Sequence, residues 1–399
     1  MPSSAIANTL LAYEPIIERK RRAIAMRFTA RSSGREPVDV PGLVAGLSEL
    51  WPEWSIPVQL RVPDVDTLPA ALLDVAPTTR VWLELPATMT ATVQDLQLAA
   101  ELHRKGFVLV LGGRPYGRLP PALLAALRMA VIHVEEDRRL QAGAAGEQRG
   151  FIRSIPYAQA GVQSIEMLKR SFEAGAAACI GWPFEDANRH AAPSDANPDF
   201  TNVTQLLALI DRDADPAELD KVIRRDAALA YRLLRYINSA AFGLTVEVQS
   251  FQHAVMMLGY ERLKRWLLLM LVTASKDANL QPVMFASFRR GLLMEHLVGA
   301  DGDPGTRDAV FILGVLSLLD KMFREPMPSL LSKLNVAEGI REALIERTGP
   351  YAAYLRVAEA VEREPDGHLV ECLDHALVSV EQCNRALIKA VTVKEVVAP

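Results

Sequence analysis

The chain has 399 residues, 50% hydrophobic and 23% charged, with 48 acidic against 44 basic side chains and a formal net charge of −4. This length and balance exclude a disordered or collagen-like polymer and fit two or three globular cores. A net acidic chain lacks a broad electrostatic grip on nucleic acid, so no nucleic-acid partner is expected. Cys179, Cys372 and Cys383 are too few and too scattered for a disulfide framework and fit a reducing cytoplasm. The N-terminal stretch carries no secretion pattern. The strongest apolar run, WLLLMLV at 266–272, is far shorter than the roughly 20 residues that span a bilayer. A cytoplasmic protein with no membrane partner is expected.

Taken in chain order, short apolar runs at 23–29, 57–62, 81–85, 107–111, 130–134 and 177–180 read as strands. Helical patterns lie between them at 93–105, 121–128 and 164–174. Strands alternating with helices of this length indicate βα units and a mostly parallel sheet. Residues 186–202 are rich in Asp, Asn and Pro and read as a linker, placed at 191–199.

Beyond the linker the strand signals stop. Asp215-Pro216-Ala217-Glu218 is a helix start, in which Asp215 caps, Pro216 suits the first turn and Glu218 reaches back to the cap amide. Leu219, Val222, Ile223, Ala230, Leu233, Leu234 and Ile237 continue at helical spacing. Further helices fit 251–258, 262–274, 284–298, 310–323, 336–347, 352–364 and 368–393. The pairs Arg224-Arg225, Lys264-Arg265 and Arg289-Arg290 read as solvated helix charges. Met256-Met257, Met270, Met284 and Met294 read as core.

The segment LLAYEPIIERKRRAIAMRFTAR, from residue 10, resembles the opening of EAL domains, the barrel phosphodiesterases of cyclic di-GMP. The resemblance covers roughly residues 8–190 and implies a (β/α)8 barrel. It puts Arg27 at the family's first metal-binding Glu, Arg61 at its Asn, Gly112-Gly113 at its Asp-Asp pair and His133 at its strand Lys. Only Glu84, in WLELP, keeps the family's acid. Two-metal hydrolysis needs several carboxylates around ions roughly 3.5–4 Å apart, and fixed guanidinium charges would repel Mg²⁺. No metal, no cofactor, no catalytic residue and no enzymatic activity are therefore expected. Two readings of the arginines stay open. Arg27, Arg61 and Arg114, with Glu84 nearby and Gly112-Gly113 allowing close backbone approach, could form an anion site at the barrel mouth. Alternatively, Glu84 pairs with Arg27 and Arg61 and fills the old pocket.

The second half resembles the HDOD domain, a helical HD-related output module. The resemblance rests on LAYRLLRYINSAAFGL, with Asn238-Ser239-Ala240, and on AVMMLG at 254–259. Ala227 stands where that family usually has Pro. None of the seven histidines is followed by Asp, so the metal-binding pair of HD hydrolases is missing. His368, Cys372 and His375 share a helix face, but no fourth zinc ligand stands at a recognised spacing. The resulting expectation is α/β plus all-α: an EAL-like barrel at 1–190, a linker at 191–199 and an HDOD domain at 200–399. The resemblance implies a signalling scaffold whose partners are sensor kinases, response regulators or cyclic di-GMP enzymes, and it allows a homodimer.

Overall fold

The computed structural model describes residues 2–137, 155–190, 198–223, 251–273, 277–334 and 336–393. Residues 191–197 of the linker expected at 191–199, Arg224-Arg225, Ala227 and the Asn238-Ser239-Ala240 turn lie outside these residues, and Pro198 already opens the helix Pro198–Asp211.

Eight strands close into a barrel in sequence order. They are β1 (Thr9–Glu18), β2 (Ala23–Ser32), β3 (Val58–Arg61), β4 (Val81–Pro86), β5 (Val108–Gly112), β6 (Leu127–His133), β7 (Tyr157–Ala160) and β8 (Ala178–Ile180). Strand β1 runs antiparallel to both neighbours, β2 and β8, while the other neighbouring pairs are parallel. The parallel pairs need crossovers, whereas β1 reaches β2 through a short turn in which Arg21 takes φ 68°. Strands β1 and β7 are additions to the six expected. β1 buries nearly every side chain, so it offers no in-out alternation to read. β7 is only Tyr-Ala-Gln-Ala.

Alternate residues on seven of the strands, from Ile16 and Ala25 through Trp82, Val110 and Val131 to Ala158 and Ile180, form one buried apolar cluster. Strand β3 contributes Gln59 in the matching phase, fully buried. Outside the barrel, the Val93–Lys105 helix starts where Thr92 accepts from the Asp95 amide and stops at Gly106, φ 110°. Ser164 caps Ile165–Glu173 in the same way. The helix expected at 121–128 ends at Ala126, because Leu127 already opens β6.

The described residues that follow the barrel are helical, with no strand among them. Asp215 caps Pro216–Ile223 by accepting from the Ala217 amide at 2.8 Å. Glu218 does not reach back; it accepts from Arg212 at 2.7 Å. Gly259, at φ 72°, divides the stretch Phe251–Thr273 between the two helices expected there. The helix expected at 310–323 is two, Pro304–Leu316 and Leu319–Met322. That at 368–393 breaks at Leu377, φ 55°, into Gly367–Ala376 and Val380–Thr392.

Two charge pairs also differ from expectation. Arg289 and Arg290 are 3% and 5% exposed. Their helix, Gln281–Val298, buries residues around most of its circumference, which leaves no solvated face for them. Arg289 donates to the Val393 carbonyl and Arg290 to Ser317 Oγ. Arg265 donates to Glu295 at 2.6 Å and Asp308 at 2.7 Å and stacks 3.7 Å from the Phe311 ring centroid, so it is a structural cation.

The compact units do not follow one cut in the chain. The first comprises Met1–Asp186 and Arg356–Thr392; the second comprises Ala187–Leu355 and Val393–Pro399. Residues 356–392, expected in the helical domain, therefore belong with the barrel. The Tyr13 amide donates to the Val361 carbonyl at 2.8 Å. The buried Asn384 side chain donates to the Ile6 and Thr9 carbonyls at 2.7 and 2.5 Å. Among the described residues no helix is long and apolar enough to cross a membrane.

Candidate functional site

At the C-terminal ends of the parallel strands the barrel's apolar filling gives way to charge. Strand register sets Arg27 of β2 between Glu14 of β1 and Gln59 of β3. Arg27 Nε donates to Glu84 Oε2 at 2.9 Å and its Nη2 to Oε1 at 2.7 Å, a bidentate pair. Gln59 Nε2 donates to the same Oε2 at 2.6 Å. Arg27 and Glu84 are 7% and 8% exposed. Burial alone would lower the Arg27 pKa, but the charge and hydrogen bonds of Glu84 outweigh it and raise it. Glu14 stands 3.8 Å from Arg27. Burial pushes its carboxyl up, against the opposing pull of Arg27 and Arg61.

Gly112, at the end of β5, makes room for this pair. A Cβ there would meet Glu84 Oε1 at 2.7 Å. Gly113 has φ 90°, and its amide donates to the Val131 carbonyl. The remaining residues singled out in the sequence are engaged elsewhere. His133 closes β6 and lies over Gly161, where a Cβ would fall 2.3 Å from its Nε2. Arg114 donates to the Glu136 carbonyl.

Arg61 does not pair with Glu84, as one of the two sequence readings had it. It sits in register with Thr29, two residues beyond Arg27 toward the rim. Its Nη1 donates to Glu364 Oε1 at 3.0 Å, and Arg31 Nη2 donates to the same oxygen at 3.1 Å. Burial disfavours the Glu364 carboxylate, but the two arginines hold its pKa below the ordinary value. The structure thus unites Arg27, Glu84 and Gly112, and adds Gln59, Glu14, Arg31 and Glu364, which the sequence reading missed. Gln59 was within reach, since it lies one strand period before Arg61. Glu364 carried no signal, being 303 residues away from Arg61.

These donors do not fit a two-metal centre. Both Glu84 oxygens are occupied by Arg27 and Gln59, so an ion there would have to displace a guanidinium. Among the described residues no group of three or more His, Cys, Asp or Glu is gathered to hold a metal. In the C-terminal segment, His375 Nδ1 bonds the Glu371 carbonyl at 2.7 Å, and Cys372 Sγ lies 3.6 Å from His368 Nε2.

Residues 198–336 match the HDOD domain family. Cyclic di-GMP phosphodiesterase CdgJ of Vibrio cholerae is 21% identical over 328 residues, 79% of this chain and 73% of that protein. The uncharacterized protein YuxH of Bacillus subtilis is 24% identical over 143 residues, 35% of each. Similar solved structures include an EAL protein of Vibrio cholerae in its cyclic di-GMP-bound form, with TM-score 0.32 and 16% identity over 44% of this chain and 91% of that one. Another is the FimX EAL domain of Pseudomonas aeruginosa bound to cyclic di-GMP, with TM-score 0.30 and 13% identity over 46% and 92%. The expected absence of enzymatic activity does not stand, because a relative aligned over 79% of this chain is named a phosphodiesterase. The chain thus joins a closed eight-stranded barrel to a helical region of which residues 198–336 match the HDOD domain family.

Proposed function

We propose that this protein works in cyclic di-GMP signalling, with the barrel mouth meeting the dinucleotide's phosphodiester and the HDOD domain engaging partner proteins. The observation that carries this reading is the convergence of Arg31 and Arg61, from adjacent strands, on one carboxylate oxygen. Two guanidinium groups closing on a single anionic oxygen is the geometry that phosphate recognition uses. Arg27 is held by the buried Glu84 and Arg114 donates to the Glu136 carbonyl, whereas Arg31 and Arg61 share the half-exposed Glu364 carboxylate. Calorimetric titration of the full chain with millimolar cyclic di-GMP tests this. Saturable heat that is lost in the double variant Arg31→Gln/Arg61→Gln supports it; heat unchanged by that variant moves the site elsewhere.

Hydrolysis of the same dinucleotide is the second reading, favoured by the name of the relative that spans most of the chain. The test is product formation with Mg²⁺ or Mn²⁺. Linear dinucleotide made by the natural chain and lost in Glu84→Gln supports it. The HDOD partners, among sensor kinases, response regulators or cyclic di-GMP enzymes, are addressed by binding assays with purified candidates.

A further inference from the structure

We infer that Glu364 is an internal occupant of the rim site, a carboxylate that the chain supplies to its own arginines in place of a phosphate ester. This rests on the proposed dinucleotide reading. Glu364 lies in the short stretch between the helices Ala352–Ala360 and Gly367–Ala376. Three residues earlier, the Val361 carbonyl is bonded to the Tyr13 amide. The stretch is thus tethered at β1 while the carboxylate reaches the mouth.

The side chains of Arg31, Arg61 and Glu364 are 36%, 31% and 51% exposed. A half-exposed ion pair contributes little to folding and can be exchanged for another anion at small cost. This distinguishes it from the buried Arg27–Glu84 pair beneath. Arg31 has a second, looser acid in Asp64, at 3.7 Å. A phosphodiester oxygen entering between Arg31 and Arg61 would take over both bonds of Glu364 Oε1 and release the carboxylate to water. Ligand and Glu364 therefore compete for the same donors, and the 361–366 stretch reports which of them is bound.

The test compares cyclic di-GMP binding by the full natural chain and by Glu364→Gln. Removal of the internal anion should tighten Kd by about tenfold, within the span of ordinary intramolecular couplings. The gain should vanish when Arg61→Gln is added. Linkage also requires amide exchange at 361–366 in the natural chain to rise when ligand binds. If the Gln variant does not fold, Glu364→Asp replaces it; it keeps the charge but withdraws it by one methylene, and a smaller tightening is expected. Equal affinity in both chains overturns the internal occupant and leaves the dinucleotide reading standing. No binding by either chain overturns both.

Discussion

Arg27 and Glu84 show what a buried guanidinium at a barrel mouth requires of its neighbours. A guanidinium buried to 7% exposure is tolerated only when paired and hydrogen-bonded. Glu84 accepts two bonds from Arg27 and a third from Gln59, and Gly112 leaves the carboxylate its space. Arg27→Met should therefore lower the stability of the barrel unit by about 3–5 kcal/mol, because it strands the Glu84 charge. The double change Arg27→Met/Glu84→Leu should recover most of that loss, since an apolar pair of similar volume removes both desolvation costs. Urea unfolding followed by Trp fluorescence checks both. A double variant no more stable than the single one would show that the pair does more than neutralise itself. Gln59, whose Oε1 is buried without a protein partner, is the residue through which such an added role would be sought.

At the scale of elements, the C-terminal segment is the piece whose role was least visible in advance. Its helices were readable from apolar spacing, but their attachment to the barrel was not. Asn384 bonds carbonyls 378 and 375 residues away, and such packing leaves no local mark in a sequence. The same holds for Glu364. By contrast, β2, β4 and β5 announce themselves as short apolar runs and the Val93–Lys105 helix through its helical pattern. Asn384→Ala leaves the Ile6 and Thr9 carbonyls without that donor in a buried place and should cost about 1–3 kcal/mol, seen as faster amide exchange in both β1 and 380–392. The rim carboxylate adds a pH dependence. Its folded pKa is depressed by Arg31 and Arg61, so its hold on the rim is fully present above the ordinary value of 4.5 and is lost as pH falls through the lowered folded value. Exchange at 361–366, corrected for intrinsic rates, should rise on acidification in the natural chain and stay level in Glu364→Gln.

At the scale of the molecule, the order of barrel and helical module was legible because strand spacing and helical spacing occupy different stretches of chain. The division of the chain into compact units was not. The linker-like composition near 190 marks one passage between units, but the passage at 355–356 lies within the continuous helix Ala352–Ala360 and carries no break in composition. A fragment cut at residue 199 would omit the element that bears Asn384 and Glu364. Such a fragment should unfold at lower urea concentration than the barrel transition of the full chain, and addition of the separate 356–392 peptide should restore part of the difference.

The return of the chain to its first unit also bears on biosynthesis. A ribosome releases the barrel's eight strands long before residues 356–392, so the Ile6 and Thr9 carbonyls meet the Asn384 side chain only after the intervening helices have emerged. Completion of the barrel unit therefore waits on the synthesis of residues 356–392, and a chain that stops before them leaves that unit without its last segment.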